Sequence, residues 1–343
     1  MKNIKFFVTP NKVNIKNFLS IFFTGLIVLF YLFFGLSTVH ALSEENFLSL
    51  EDIKAVSAVV IDGETGKIFY AKNPDLKIPP ASTLKLLTAM VVLDHVSPYE
   101  KVKISRNAAS VLSSSPRLYP REVYTVKDLL YLMLMKSSNQ AAVALAEKVA
   151  GSEKKFVVLM NKKAESLGLR NSYFATASGL PAPNQYTTPY EIALIFYEAM
   201  KYPLIRKIVS TKVKIITSLS GRTFVIKNTN KLLGLKFSDA KILGGKTGYT
   251  RASRHCLVNA AEVNGRLIIT SVMGSPSRDT LWKDTLKLIK FSKLVLERKA
   301  SPVLVITTVN TRLLASQKII SPYKYYKQKR KYYKKYYKKK KKR

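Results

Sequence analysis

Long apolar runs alternate along the chain with short polar breaks, and the breaks place the elements. Residues 18–36 are almost wholly apolar, from Phe18-Leu19 to Phe33-Phe34-Gly35-Leu36, about the 20 residues that a membrane span requires. Ala55–Ile61 reads as a strand, Asp62-Gly63-Glu64-Thr65-Gly66-Lys67 as a turn, and Ile68-Phe69-Tyr70 as the return strand of a hairpin. After Pro79-Pro80 the run Leu84, Leu86, Leu87, Ala89, Met90, Val91, Val92 and Leu93 is too continuous for a surface stripe, which predicts an enclosed helix. Residues 101–125 are polar, serine-rich and irregular. Thr125, with Asp128 three positions on, caps a helix reaching Met135, and a second helix, Gln140–Ala150, is closed by Gly151. Helices are also predicted over 153–168, 188–200 and 279–298. Lys212–Thr217 is strand-like, and His255–Ala261 and Leu267–Met273 form a strand pair turned by Asn264-Gly265. Val303–Val309 reads as a lone strand.

The polar breaks carry the candidate chemistry. Ser82 and Lys85 stand three residues apart, on one face of the enclosed helix. A buried lysine is driven toward its neutral form, and a serine hydroxyl needs a base beside it to become a nucleophile. Taken alone, the pair fits equally an N-cap serine with a snorkelling lysine. Ser137-Ser138-Asn139 lies between two apolar helices, where it either aims a hydroxyl and an amide into a cleft or makes an ordinary helix–helix turn. Gly244-Gly245-Lys246-Thr247-Gly248-Tyr249-Thr250 places a cation and a hydroxyl among glycines that let a ligand approach, a combination suited to a carboxylate. The upstream spacing and the helix of a phosphate-binding loop are missing. Two polar stretches, Ser178-Gly179-Leu180-Pro181 and Asn228-Thr229-Asn230, read as a rigid loop and a turn.

Composition narrows the setting. The 343 residues carry 58 Lys and Arg against 21 Asp and Glu, a formal charge of +37. Thirteen of the cations fall in residues 322–343, which hold no acid, and four in the acid-free first 17. The middle remains strongly basic, which favours anionic partners. The single cysteine, Cys256, permits no internal disulfide, and His40, His95 and His255 show no ligand spacing, so neither metal nor cofactor is expected. The basic start, the apolar stretch and the small-residue exit Val39-His40-Ala41 read as a secretory signal over residues 1–41, with an uncleaved anchor as its rival. Either way the remainder is exported, to a periplasm or the outer face of the cytoplasmic membrane. From Pro322 the chain is Tyr, Lys, Arg and one Gln, a low-complexity tail that cannot build a core. It is either a solvated charge run or an electrostatic attachment to anionic lipid or wall polymer. Nucleic-acid binding by such a tail would be unspecific.

Three elements stand in order: Ser82-Thr83-Leu84-Lys85, Ser137-Ser138-Asn139 and Lys246-Thr247-Gly248. This trio resembles that of penicillin-binding proteins and class A β-lactamases. With Pro80-Ala81, Tyr124-Thr125-Val126-Lys127-Asp128-Leu129-Leu130, Ser178-Gly179-Leu180-Pro181 and Gly248-Tyr249-Thr250, residues 48–295 resemble the low-molecular-mass D-alanyl-D-alanine carboxypeptidases. The resemblance implies an α+β fold, an antiparallel sheet flanked by helices with an all-helical subdomain, and a catalytic domain over 42–300. A short linker and the basic tail would fill 301–343. It implies a Ser82 acyl-enzyme that releases D-alanine from peptidoglycan stem pentapeptides, with β-lactam antibiotics as covalent inhibitors. Lys85 would be the proton acceptor and Ser137 the relay to the leaving amine. Asn139 would hold the substrate's peptide, and Lys246, Thr247 and, less directly, Arg278 its carboxylate. Gly248 belongs to the same motif, and the backbone N–H groups of Ser82 and Tyr249 would form the oxyanion hole. Ser138 and Gln140 depart from the commoner glycine and aspartate. The rivals are a β-lactamase-like penicillin hydrolase, for which residues 151–190 lack a Glu-x-x-Leu-Asn loop, and a non-catalytic wall- or polyanion-binding protein.

Overall fold

The computed structural model describes residues 50–237, 240–307 and 317–319. The expected signal segment 1–41 and basic tail 322–343 lie outside these residues. Everything below concerns the unit that begins at Ile53.

The elements are, in order, β1 (Ser57–Asp62), β2 (Ile68–Lys72), α1 (Lys85–His95), β3 (Lys101–Lys103), α2 (Arg106–Ser110), β4 (Val123–Thr125), α3 (Val126–Met135), α4 (Asn139–Ala150), α5 (Glu153–Ser166), α6 (Pro189–Ala199), α7 (Pro203–Ser210), β5 (Val213–Thr217), β6 (Thr223–Lys227), β7 (Lys236–Phe237), β8 (Ala240–Thr250), β9 (Arg254–Val263), β10 (Arg266–Ser275), α8 (Arg278–Leu296), β11 (Val303–Thr307) and β12 (Gln317–Ile319). The principal sheet runs β12-β11-β2-β1-β10-β9-β8-β7. Its described pairs are antiparallel except β11 with β2.

The sheet is covered on both faces, which is why β1 is buried at every position and its sequence does not alternate. Val59 and Ile61 join the large core shared with the helices. Val60 faces the other way with its cross-strand partner Tyr70, whose ring meets Phe291 of α8 edge-on at 6.3 Å. α6 packs on β1, β9 and β10 from the core side, and α8 covers β1, β2, β9 and β10. On the core side α1 is enclosed by α3, α4, α5, α6 and α7. Residues Lys85–Val92 of this helix are all buried, as its unbroken apolar run predicts.

Local signals set the helix ends. Thr125 accepts from Asp128 N, Ser152 from Lys155 N and Thr188 from Glu191 N, and Gly151 closes α4 in the left-handed region. The helical half is not wholly helical: the supposedly irregular segment holds β3, α2 and β4, and β5 pairs with β6. Val303–Thr307 is no lone strand either. It pairs in parallel with β2, so the folded unit passes the expected boundary at 300 and reaches at least Thr307.

Candidate active site

Ser82 does not open an α-helix. It sits in a 3-10 turn, Ala81–Leu84, that feeds α1. Ala81 has φ +48°, a left-handed conformation that costs a residue with a Cβ, and Ser137 is similarly strained at φ +62°. Both positions flank or carry a candidate hydroxyl. Ser82, Ser137 and Asn139 remain partly exposed, while Lys85 and Lys246 are fully buried. The site is thus a hydroxyl-lined opening with two amines beneath it.

Lys85 is surrounded by groups that can accept from it. Its Nζ lies 2.7 Å from Ser82 Oγ and 2.7 Å from Asn139 Oδ1, and it contacts the Ser178 carbonyl oxygen. The Asn139 amide is oriented by Nδ2, which donates to Leu112 O at 2.8 Å. Two of the three partners are therefore pure acceptors. A neutral amine has two N–H groups and one lone pair. An ammonium would give one N–H to each partner, whereas the neutral amine, with its two N–H groups on Asn139 and Ser178, turns its lone pair to Ser82. Burial, then the neighbouring Lys246, pushes Lys85 well below the usual lysine range against a weaker opposing pull from Glu153.

Lys246 comes from the sheet. Gly244–Thr250 is part of β8, paired through Lys246 with Val258 of β9. Its Nζ donates to Ser137 Oγ at 3.0 Å and to Thr247 O at 2.7 Å. Burial lowers its pKa to about 7. Gly248 passes over the Ser82 turn, and a Cβ there would lie 3.1 Å from Ser82 N and 3.3 Å from Thr83 N. The missing side chain keeps room beside the nucleophile's backbone.

Several supporting residues were not singled out by the sequence. Thr229 Oγ1 lies 2.7 Å from Thr247 Oγ1, and Thr229 N donates to Met135 O at 3.0 Å, tying β8 to the end of α3. Ser113 Oγ accepts from Asn139 N at 2.9 Å. The buried Gln140, noted only as a departure, accepts from Leu118 N and donates to Ala109 O and Leu118 O, holding the 109–118 segment against α4. Ser113 and Thr229 lie in short runs of small polar residues, a signal that does not reveal the partner.

The structure brings Ser82, Lys85 and Asn139 into one hydrogen-bonded cluster and Ser137, Lys246 and Thr247 into another beside it, with Gly248 against the Ser82 turn. It does not gather Arg278. That residue is exposed at the first position of α8 and shares its surroundings with His255, whose pKa is lowered by burial and by the Arg278 charge. The Tyr249 side chain is exposed too, its ring 4.5 Å from that of His255. Cys256 is buried in β9 with its thiol pushed up to about 12 by burial, so it is inert at neutral pH. Among the described residues no group of three or more His, Cys, Asp or Glu is placed to hold a metal ion.

The sequence profile described as D-alanyl-D-alanine carboxypeptidase matches residues 43–277. The chain belongs to this family. It is 34% identical over 244 residues to the D-alanyl-D-alanine carboxypeptidase DacF of Bacillus subtilis, covering 70% of this chain and 62% of that one. It is also 34% identical to the D-alanyl-D-alanine endopeptidase of Escherichia coli, covering 70% of this chain and 77% of the relative. The crystal structure of the Streptomyces K15 DD-transpeptidase superposes with a TM-score of 0.65 at 31% identity, covering 69% of this chain and 96% of that one. The fold is the α+β fold of these penicillin-binding relatives, as expected. Carboxypeptidase, endopeptidase and transpeptidase names all occur among family members, so membership alone does not choose between water and an amine as the second acceptor.

Proposed function

We propose that the protein is an exported serine-type D-Ala-D-Ala carboxypeptidase that removes the terminal D-alanine from peptidoglycan stem pentapeptides. The observation that carries this is the buried Lys85 amine, its pKa held well below the usual lysine range, 2.7 Å from Ser82 Oγ. Lys85 takes the Ser82 proton as Oγ attacks the carbonyl carbon between the two D-alanines. The carbonyl oxygen becomes an oxyanion against the backbone N–H groups of Ser82 and Tyr249, each such donor contributing about 3–4 kcal/mol. The proton then passes through Ser137 to the leaving nitrogen, the C–N bond breaks, and D-alanine departs. Water, deprotonated by the same amine, hydrolyses the ester. Lys246 and Thr247 hold the terminal carboxylate, and Asn139 both fixes Lys85 and faces the substrate's peptide. Arg278, exposed at the start of α8 near His255, is a further, less direct contact for the same carboxylate.

Incubation with a penicillin followed by mass spectrometry is expected to show one covalent adduct, on Ser82, turning over in many minutes. Ser82→Ala is expected to lose both the adduct and D-alanine release. Turnover within milliseconds would mark a β-lactamase instead, and wild-type protein without adduct or release would leave only a wall-binding role.

A pH dependence follows from the two lysines. Lys85 works uncharged, so protonating it at low pH removes activity. Lys246 holds a carboxylate only as a cation, and in the free enzyme it loses that charge above pH about 7. The profile of kcat/KM is expected to be a bell whose basic limb falls near pH 7. A bound carboxylate favours the cation, so the basic limb of kcat lies higher. A substrate amidated at its C-terminus should lack the limb in kcat/KM. A limb that is unchanged by amidation would assign the ionisation elsewhere.

Residues 1–41 act in this reading as a signal peptide or anchor, and 322–343 attach the enzyme electrostatically to anionic lipid or wall polymer. Unaltered fractionation with cell envelopes after removal of 322–343 would refute the tail's part.

A further inference from the structure

The positive charge is not confined to the ends of the chain. Residues 202–238 contain eight lysines and arginines and no acid. At their centre stands the β5–β6 hairpin, whose register pairs Val213 with Lys227, Ile215 with Val225 and Thr217 with Thr223. Alternate residues of a strand share a face. These six therefore form one face, while Ile216 and Ile226 are buried on the other. Ile215 is 60% exposed, Val225 61% and Val213 52%, and Leu219 at the hairpin's tip is 54% exposed.

Single exposed apolar residues are ordinary on a protein surface. Here Ile215 and Val225 are cross-strand neighbours with Val213 two positions away, so the apolar surface is continuous. It is also held firmly from behind. Leu219 N donates to Val123 O at 2.8 Å, Arg222 Nη1 donates to Arg117 O and Glu122 Oε1, and Lys214 lies over the Tyr131 ring. Around it, Lys212 and Lys227 are exposed, as are Arg206 and Lys207 on α7, while Ile205, Ile208 and Val209 of that helix point inward.

We propose that this hairpin face docks on an anionic lipid bilayer. Val213, Ile215, Val225 and Leu219 seat at the boundary of headgroups and acyl chains, and the surrounding lysines and arginines meet the acidic headgroups. A dissolved polyanion would satisfy the cations but gives Ile215 and Val225 no apolar phase. A bilayer supplies both. Since β6 leads directly to Thr229 and its contact with Thr247, docking would hold the cleft at a fixed position relative to the lipid surface.

The test places a depth reporter on the face of the full-length chain. Ile215→Trp is mixed with vesicles of phosphatidylglycerol and phosphatidylcholine bearing brominated acyl chains, with the wild type, which has only Trp282, as baseline. Tyr173→Trp, off the hairpin, is the control. Quenching of Ile215→Trp several-fold above both is expected, lost in vesicles of phosphatidylcholine alone and reduced by salt. Because the reporter reads the depth of this face, attachment through residues 18–36 or 322–343 does not by itself produce the result. Quenching no greater than that of Tyr173→Trp overturns the proposal. So does binding of soluble poly(glycerol phosphate) with no lipid quenching, or a solution dimer that buries the reporter. Val225→Trp provides an independent reading should Ile215→Trp fail to fold by circular dichroism.

Discussion

Lys85→Arg is expected to acylate with penicillin about 10⁴-fold more slowly than the wild type, and Lys85→Met as slowly, because a general base contributes up to about that factor. The arginine variant is the informative one. A guanidinium keeps positive charge and hydrogen-bonding capacity but does not lose its proton in a protein. Were Lys85 merely a cation orienting Asn139 and Ser178, arginine would restore part of the rate. The methionine variant separates chemistry from folding. Lys85 is wholly buried, and methionine fills its space but leaves Asn139 Oδ1 and Ser178 O without their donor, at a cost of about 1–3 kcal/mol. Lys85→Met should therefore melt a few degrees below the wild type, still folded, while being inactive. Stopped-flow acylation and a melting curve on the same preparation check both statements, and substantial activity in Lys85→Arg would dismiss the base assignment.

Gly179→Ala is expected to lower stability by at least about 3 kcal/mol and to slow acylation with it. Gly179 has φ +80°, and a Cβ built there would lie 1.9 Å from Ala81 O and 2.5 Å from Ala81 C. Those are backbone atoms beside the nucleophile and cannot swing aside. Relief requires either the Ser82 turn or the 178–181 loop to move, and Ser178 O is one of the acceptors that fix Lys85. Gly66→Ala supplies the comparison. Its φ is +66° but nothing lies within 4 Å of a Cβ there, so only the left-handed conformation is penalised, about 1 kcal/mol. In a domain of this size the gap corresponds to a difference in melting temperature of several degrees. Equal melting of the two variants would show that the loop does not pack on the nucleophile as described.

Where packing follows directly from pattern, the sequence was legible. The unbroken apolar run of α1 does mark an enclosed helix, and Thr125 with Asp128 does mark the start of α3. The trio of motifs located Ser82, Lys85, Ser137, Asn139, Lys246 and Thr247, though not Ser113 or Thr229, which hold them. The losses have physical causes. β3 is Lys101-Val102-Lys103 with a single buried position, too short for any period to show. β6 hides because the outward Val225 stands between the inward Phe224 and Ile226, so its centre reads as an apolar run and not as alternation. Gly244, Gly245 and Gly248 speak against a strand, yet β8 tolerates them because neighbours crowd it: a Cβ on Gly245 would lie 2.6 Å from Val258 O. The pairing of β11 with β2 is parallel and follows a crossing helix, which leaves no local trace.

The register that sets Ser57 opposite Met273 has a bearing on biogenesis. Delivered from its amino end, the chain presents β1 and β2 long before β10 exists to close the sheet, and such distant pairings form slowly. Ser82 and Lys85 thus emerge from the ribosome without Lys246, and no competent nucleophile is assembled until nearly the whole polypeptide has been made. A precursor built this way stays loose while it is being made, and it acquires its reactivity only when β8 and β10 join the sheet.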